Sequence, residues 1–267
     1  MQEPANVWQR FNAERGGVLI VGHGTRNREG TLQFLSLASE IQSRLPNLPC
    51  QACFLELSEP NIEEGLTRLA AVGVEQILVV PLLLFSAGHA KSDIPDAVAV
   101  ACEKLGLRPA AQSQALGLHR SLLKLSKLRF DEACPPEWTP ADIALVMIGR
   151  GASDTAAVNQ MRELTERRHR ESKVAWAGTG FFAVAKPTVE EILEEAKNSP
   201  FGCVLIQPHL LFEGELMQSL REMQHHYQGE VFEKRWILAE PLGVDGRLAE
   251  TLIESAFDAL TTVWEQF

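Results

Sequence analysis

The 267-residue sequence lacks any apolar run that approaches the roughly 20 residues of a bilayer-spanning helix, although 45% of it is apolar. It therefore predicts no membrane partner. Residues 1–17 are polar and mixed in charge, without the apolar stretch of a signal peptide. These absences favour a cytoplasmic protein.

Cysteines are few, and a basic tract is missing. The five cysteines are an odd number scattered over a long chain, which does not suggest a disulfide framework. Cys50 and Cys53 form a C-x-x-C pair, but strand alternation sends side chains three apart to opposite faces, so a structural role is favoured over a redox or metal-binding one. The formal net charge of −10 argues against a nucleic-acid partner. An acidic chain can still bind an anionic ligand where its few cations converge.

The sequence contains a diverged internal duplication. Four blocks of the first half recur in order in the second half: IVGHGTR (20–26) as MIGRGAS (147–153), EPNIEEGL (59–66) as KPTVEEIL (186–193), VVPLLLF (79–85) as IQPHLLF (206–212), and ALGLHRSL (115–122) as PLGVDGRL (241–248). The offset is 127 positions for the first three pairs and 126 for the last. Such order at a nearly constant offset is hard to obtain by chance.

Each copy alternates apolar strands with amphipathic helices. Strands that are apolar throughout predict a mainly parallel sheet covered by helices on both faces. The fold class is therefore α/β, with two tandem domains at 1–130 and 140–267 related by duplication. The proline- and acid-rich stretch 131–142 is the predicted linker, and a cleft is expected between the domains.

Three ionisable residues lie at strand ends in the first copy. His23 follows the first strand, Glu56 lies in the second, and His89 follows the third. In open parallel sheets, ligands bind outside the carboxyl ends of the strands. Two imidazoles and a carboxylate suit a borderline divalent ion such as Fe, Co, Ni or Zn. A lone histidine is more often structural, but two at equivalent strand ends favour a functional site.

The second copy keeps the apolar framework and replaces this polar set. The residues at the positions of His23, Glu56 and His89 are, respectively, Arg150, Ala183 and Glu215. Residues that served folding alone would be expected to persist in part. The chemistry is therefore assigned to the first domain.

Cations cluster in the same predicted loops: Arg26, Arg28, Lys91 and Arg150. Each alone is typical of a solvated surface, whereas together they would form the positive rim that a polycarboxylate ligand requires. Gly88 and other glycines flank the predicted site, which is consistent with a bulky ligand approaching the backbone, although turn geometry also explains them.

The motifs GHGTR (22–26), FLELSEP (54–60), VVPLLLFSAGHAKSDIP (79–95), GRGASD (149–154) and PHLLFEG (208–214) closely resemble the sirohydrochlorin chelatase family. These are class II tetrapyrrole chelatases, and the resemblance is strongest to the two-domain sirohydrochlorin ferrochelatase and cobaltochelatase type. It covers nearly the whole chain. It implies a lyase of siroheme or cobalamin biosynthesis that inserts Fe²⁺ or Co²⁺, and in some members Ni²⁺, into sirohydrochlorin without ATP. No permanently bound cofactor is implied.

The resemblance also implies roles for particular residues. His23 and His89 fall on the family's metal-site histidines, and Glu56 falls on its site carboxylate as ligand or proton acceptor. Which histidine takes which pyrrole proton stays open. The cations Arg26, Lys91 and Arg150, with Gly88, would bind the substrate's carboxylates. Since short family members are homodimers of one domain, this chain is expected to work as a monomer that forms an internal pseudo-dimer.

Two other functions fit parts of the sequence. A histidine phosphatase would need an arginine just before the histidine of GHGTR, and Gly22 stands there instead. A metal or tetrapyrrole carrier that uses the same cleft without turnover stays open as the alternative.

Overall fold

The computed structural model describes residues 4–45, 47–85, 92–230 and 233–265. Its helices and strands, in chain order, are α1 (Pro4–Ala13), β1 (Gly16–Gly22), α2 (Arg28–Arg44), β2 (Cys50–Phe54), α3 (Ile62–Ala71), β3 (Gln76–Pro81), α4 (Ile94–Leu105), β4 (Arg108–Gln112), α5 (Arg120–Ala133), a 3₁₀ turn (Pro140–Asp142), β5 (Ile143–Gly149), α6 (Thr155–Ser172), β6 (Trp176–Phe181), α7 (Val189–Lys197), β7 (Cys203–Pro208), α8 (Glu215–Glu230), β8 (Arg235–Leu238) and α9 (Gly246–Trp264). Among these helices, none is long and apolar enough to cross a membrane.

The chain forms two compact units. The first takes the residues up to Gly117 together with those from Val244 onward, and the second takes Leu118–Gly243. Each unit contains one sheet of four parallel strands. The predicted α/β fold with an internal duplication is confirmed.

In the first unit the strand order is β2-β1-β3-β4. The chain therefore leaves β1 in one direction to reach β2 and returns past it to β3, which creates a switch point at the carboxyl ends of β1 and β3. Every residue of β1 is buried. Helices α3 and α4 cover one face of the sheet. On the opposite face, α2 packs against α9, and Phe34 of α2 contacts the ring of Phe54.

The second unit repeats this arrangement with the order β6-β5-β7-β8. Helices α7 and α8 pack on one face, where their apolar side chains form a core with those of β5 and β7. Both units begin one helix in the same way: Asn61 opens α3 and Thr188 opens α7 with a reciprocal capping box. Each box satisfies backbone N–H groups that have no partner inside the helix.

Two helices pack on the unit to which their sequence repeat does not belong. Helix α5 ends the first repeat, yet Gln207 of β7 donates a hydrogen bond to Ser126 Oγ at 3.1 Å, and Arg129 donates to the carbonyl of Leu242 at 2.7 Å. Helix α9 ends the second repeat, yet it contacts α2, β3 and β4. The predicted division at 1–130 and 140–267 groups α5 with the first sheet and α9 with the second. In the structure, α5 belongs to the second compact unit and α9 belongs to the first.

Candidate functional site

The loops that follow β1 and β2 bring an imidazole and a carboxylate together. Backbone pairing continues past the strands, since the amide of Leu55 donates to the carbonyl of Gly22 at 2.9 Å and that of Glu56 donates to the carbonyl of His23 at 3.1 Å. As a result, His23 Nε2 lies 3.5 Å from Glu56 Oε1. The side chain of His23 is 19% exposed and that of Glu56 is 50% exposed, so both are accessible to a ligand.

Gly24 permits this close approach. Its φ is +98°, and a Cβ at this position would lie 1.7 Å from the carbonyl oxygen of Glu56. The second unit repeats the contact, because Gly151 has φ +86° and a Cβ there would lie 2.0 Å from the carbonyl oxygen of Ala183. Only glycine fits both the backbone conformation and the available space.

A tight turn follows the contact in both units. The amide of Ser58 donates to the carbonyl of Glu56 at 2.8 Å around Leu57, whose φ is +62°. The amide of Ala185 donates to the carbonyl of Ala183 around Val184, whose φ is +63°. A bond from residue i+2 back to residue i around a positive φ is the rare, strained form of the γ-turn. The sequence gives no signal for it, because leucine and valine do not favour positive φ.

The Ser58 hydroxyl also joins the two loops of the first unit. Ser58 Oγ donates to the carbonyl of Thr25 at 2.8 Å and accepts from the amide of Thr25 at 3.2 Å. Thr25 Oγ1 in turn accepts from the amide of Asn27 at 3.1 Å, and the Asn27 side chain caps α2. Sequence reasoning missed Ser58, although the duplication carries a signal, since Ala185 stands 127 positions later.

Three of the predicted site residues, Gly88, His89 and Lys91, lie outside the described residues. The strand that precedes them, β3, pairs with β1 so that Pro81 is opposite Val21. The amide of Leu82 then donates to the carbonyl of Val21 at 2.8 Å, close to His23 in the chain. Among the described residues, no three His, Cys, Asp or Glu side chains are grouped to hold a metal ion. A complete site of His23, Glu56 and His89 stays a prediction.

The three described cations of the predicted rim, Arg26, Arg28 and Arg150, are all exposed. Arg26 lies in the loop after β1, and Arg150 directly follows β5 at the position that His23 occupies in the first unit. The carbonyl of Arg150 accepts from the amide of Ala183 at 3.1 Å, which is the counterpart of the bond between His23 and Glu56. Each arginine therefore lies at the carboxyl edge of its own sheet.

The C-x-x-C pair does not present reactive thiols. Burial raises the pKa of Cys50 and that of Cys53 to about 12, so both remain protonated near neutral pH. The thiol of Cys50 donates to the carbonyl of Leu48 at 3.4 Å. These observations support the structural role that the sequence favoured.

Comparisons with known proteins identify relatives along most of the chain. The family model described as CbiX matches residues 17–133 and again residues 144–259. A sirohydrochlorin cobaltochelatase of Priestia megaterium is 31% identical over 245 residues, which cover 91% of this chain and 79% of the relative. A sirohydrochlorin ferrochelatase of the same organism is 30% identical over 251 residues, which cover 94% of this chain and 92% of the relative.

Solved structures share the architecture. SirB from Bacillus subtilis with Fe³⁺ superposes with a TM-score of 0.81 at 24% identity, covering 94% of this chain and 98% of SirB. SirB from Bacillus subtilis subspecies spizizenii in complex with cobalt gives a TM-score of 0.78 at 23% identity, with the same coverage of 94% and 98%. At these identities the likeness establishes the fold.

Proposed function

Because the chain belongs to the CbiX family, whose model matches both of its repeats, we propose that it inserts Fe²⁺ or Co²⁺ into sirohydrochlorin without ATP. The two Priestia megaterium relatives, a sirohydrochlorin cobaltochelatase and a sirohydrochlorin ferrochelatase, support this lyase reaction. The family resemblance carried by the motifs is confirmed. The metal is a substrate of this reaction.

The observation that carries the proposal is the imidazole–carboxylate pair at the edge of the first sheet. Insertion requires that the ion lose part of its water shell and that two pyrrole nitrogens lose their protons. Imidazole is both a metal ligand and a base near neutral pH, and a carboxylate can accept a proton or bind the metal. His23 Nε2 and Glu56 Oε1, 3.5 Å apart and both accessible, supply these groups on adjacent loops.

His89 is proposed as the second metal-binding imidazole of the same site. It follows β3 in the sequence, and β3 pairs directly with β1, whose end leads to His23. Parallel strands deliver their carboxyl ends to one edge of a sheet, which favours convergence of the two loops. His23 and His89 would bind the metal and deprotonate the pyrroles, with Glu56 as ligand or proton acceptor.

The substrate's carboxylates require cations. Arg26, Lys91 and Arg150, with the backbone at Gly88, are proposed to bind them through charge-assisted hydrogen bonds. The exposure of Arg26 and of Arg150 supports this role. In an acidic chain with net charge −10, exposed cations beside the site would also attract a polyanion.

Further parts of the proposal rest on the sequence. They are use of Ni²⁺ as a third metal, action of one chain as a monomeric internal pseudo-dimer, a cytoplasmic location, and the lack of nucleic-acid or membrane partners. The duplication supports the internal pseudo-dimer, and the acidic composition supports the lack of a nucleic-acid partner.

A spectroscopic assay tests the reaction. Sirohydrochlorin is incubated anaerobically with Fe²⁺, Co²⁺ or Ni²⁺, and the visible spectrum is followed with and without the protein. A rate well above that of the protein-free control is expected for Fe²⁺ or Co²⁺. Tight binding of the pigment without any acceleration would replace the chelatase with a carrier.

A further inference from the structure

One hydroxyl connects the loop of His23 with the loop of Glu56. Ser58 Oγ binds both polar groups of the Thr25 backbone, at 2.8 Å to the carbonyl and 3.2 Å to the amide. The amide of the same residue donates to the carbonyl of Glu56 at 2.8 Å. Ser58 therefore contacts the main chain of Glu56 and the main chain two residues after His23.

The second unit shows what these loops need in order to fold. It keeps the glycine contact at Gly151, the bond from the amide of Ala183 to the carbonyl of Arg150, and the positive φ at Val184. It has Ala152 and Ala185 at the positions of Thr25 and Ser58. The loop conformation thus forms without the hydroxyl.

The hydroxyl accompanies the reactive pair rather than the fold. Ser58 is present in the unit that carries His23 and Glu56. In the second unit, where arginine and alanine stand at the positions of His23 and Glu56, alanine also stands at the position of Ser58. An ordinary intramolecular hydrogen bond contributes only about 1 kcal/mol to stability. A displacement of about 1 Å at a reacting group can, however, cost roughly 100-fold in rate.

We propose that Ser58 is a positioning residue: its hydroxyl ties the loop of His23 to the loop of Glu56 and holds the imidazole and the carboxylate at the separation that metal binding and proton removal require. Its effect on turnover rests on the proposed chelatase function. Its effect on geometry does not, because the pair can be probed with a metal ion alone.

The first test compares Ser58→Ala with Ser58→Thr. Alanine is the residue that the second unit uses in the same turn, so the fold should persist, and threonine keeps a hydroxyl. We expect kcat for metal insertion to fall about tenfold in Ser58→Ala, with KM for sirohydrochlorin within about twofold of wild type, and to recover in Ser58→Thr. Thermal unfolding of each variant verifies that it is folded.

Ser43→Ala is the matched control. Ser43 also lies in the first unit, and its hydroxyl donates to the carbonyl of Glu40 at 2.7 Å on the exposed side of α2. Its replacement removes a comparable hydrogen bond away from the loops and should leave kcat unchanged. Wild-type kcat in Ser58→Ala, or an equal loss in Ser58→Ala and Ser58→Thr, would overturn the proposal.

The second test measures Co²⁺ binding by calorimetry without any tetrapyrrole. Ser58→Ala should raise the Kd for Co²⁺ about tenfold, and Ser58→Thr should restore it. If the wild-type protein binds Co²⁺ but does not insert it, the chelatase function fails while this measurement still decides the role of Ser58. A wild-type protein that neither binds nor inserts the metal overturns both proposals.

Discussion

His23 and Glu56 meet because two main-chain hydrogen bonds extend the pairing of β1 and β2 beyond their last residues. The positions of the two side chains are thus determined by backbone that does not depend on the side chains themselves. The second unit supports this independence of the backbone from the side chains, since it forms the same main-chain bond between Ala183 and Arg150. Substitution of the reactive groups should therefore change chemistry far more than stability.

His23→Ala should lower the rate of metal insertion at least about 100-fold, because it removes a metal ligand and a base from the site. The thermal unfolding temperature should stay close to that of wild type. The measurement is the initial rate by visible absorbance with Fe²⁺ or Co²⁺. His225→Ala, at an exposed position of α8, is the matched histidine control and should keep the wild-type rate. An active His23→Ala protein would contradict the site.

The strained turn at Val184 offers a prediction about stability. Val184 has φ +63° and is 76% exposed, so glycine would relieve backbone strain and lose little buried area. The strain costs an ordinary residue about 1–2 kcal/mol, against about 0.5–1 kcal/mol for the added freedom of glycine in the unfolded chain. Val184→Gly should therefore raise the free energy of unfolding by up to about 1 kcal/mol in urea titrations.

Val72→Gly is the control for that experiment. Val72 is also exposed, at 67%, but its φ is −98°, where glycine relieves no strain. This variant should lose about 0.5–1 kcal/mol instead of gaining stability. If the free energy of unfolding fell in both variants, the positive φ at Val184 would carry no net cost.

At the scale of elements, the third strands of the two units differ at their ends. The first residue after β3 is Leu82 and the first after β7 is His209, and the amide of each donates to the central strand of its sheet. Both side chains are buried. Burial lowers the pKa of His209 to about 3, so the imidazole is neutral in the folded protein.

This burial predicts a pH dependence of stability. Below the ordinary histidine pKa of about 6.5 the unfolded chain takes up a proton that the folded chain excludes, so stability is lost as pH falls. From pH 7 to pH 5 the loss due to His209 should be about 2 kcal/mol. His209→Leu, which introduces the residue of the first unit, should remove that part of the decline in urea titrations.

The control for the histidine effect is His225→Gln, at an exposed position. It should retain the wild-type decline between the two pH values. If His209→Leu declined as steeply as wild type, the imidazole of His209 would have to be protonated in the folded state.

The elements themselves were predictable from the sequence because their signals are local. The apolar run that begins at 77 marks β3, and a proline shortly before 62 and before 189, with acidic residues just after each of these positions, marks two helix starts. The approach of His23 to Glu56 was predictable in outline, since parallel strands end at one edge. The turns at Leu57 and Val184 were not, because their conformation is imposed by neighbouring loops against the preference of the residues.

At the scale of the whole molecule, the duplication reveals equivalent elements but not the sheet on which each helix packs. Helix α5 and helix α9 occupy corresponding places in the two repeats. Each covers the sheet of the other repeat, as the hydrogen bond from Gln207 to Ser126 and the contacts of α9 with β3 and β4 show. Sequence periodicity gives the apolar face of a helix and leaves its partner undetermined, which is why the predicted boundaries differ from the compact units.

This exchange of the last helices, α5 and α9, between the two repeats predicts which half of the chain folds alone. Residues 118–243 contain α5, whose buried apolar side chains are Leu122, Leu123, Leu125 and Phe130. At about 1.5–3 kcal/mol each, they contribute on the order of 6–12 kcal/mol, as much as the whole stability of a typical domain. Residues 140–267 lack α5 and carry α9 without the sheet that it covers.

We therefore expect the fragment 118–243 to unfold cooperatively on heating and the fragment 140–267 to show no cooperative transition, as followed by circular dichroism. The two fragments are nearly equal in length and share residues 140–243, so size and sheet content are controlled. A fragment is expected to fold if it contains both the second sheet and α5, the helix that packs on that sheet, whichever repeat the helix comes from. A cooperative transition in 140–267 but not in 118–243 would mean that each repeat folds with its own last helix and that the exchange contributes little to stability.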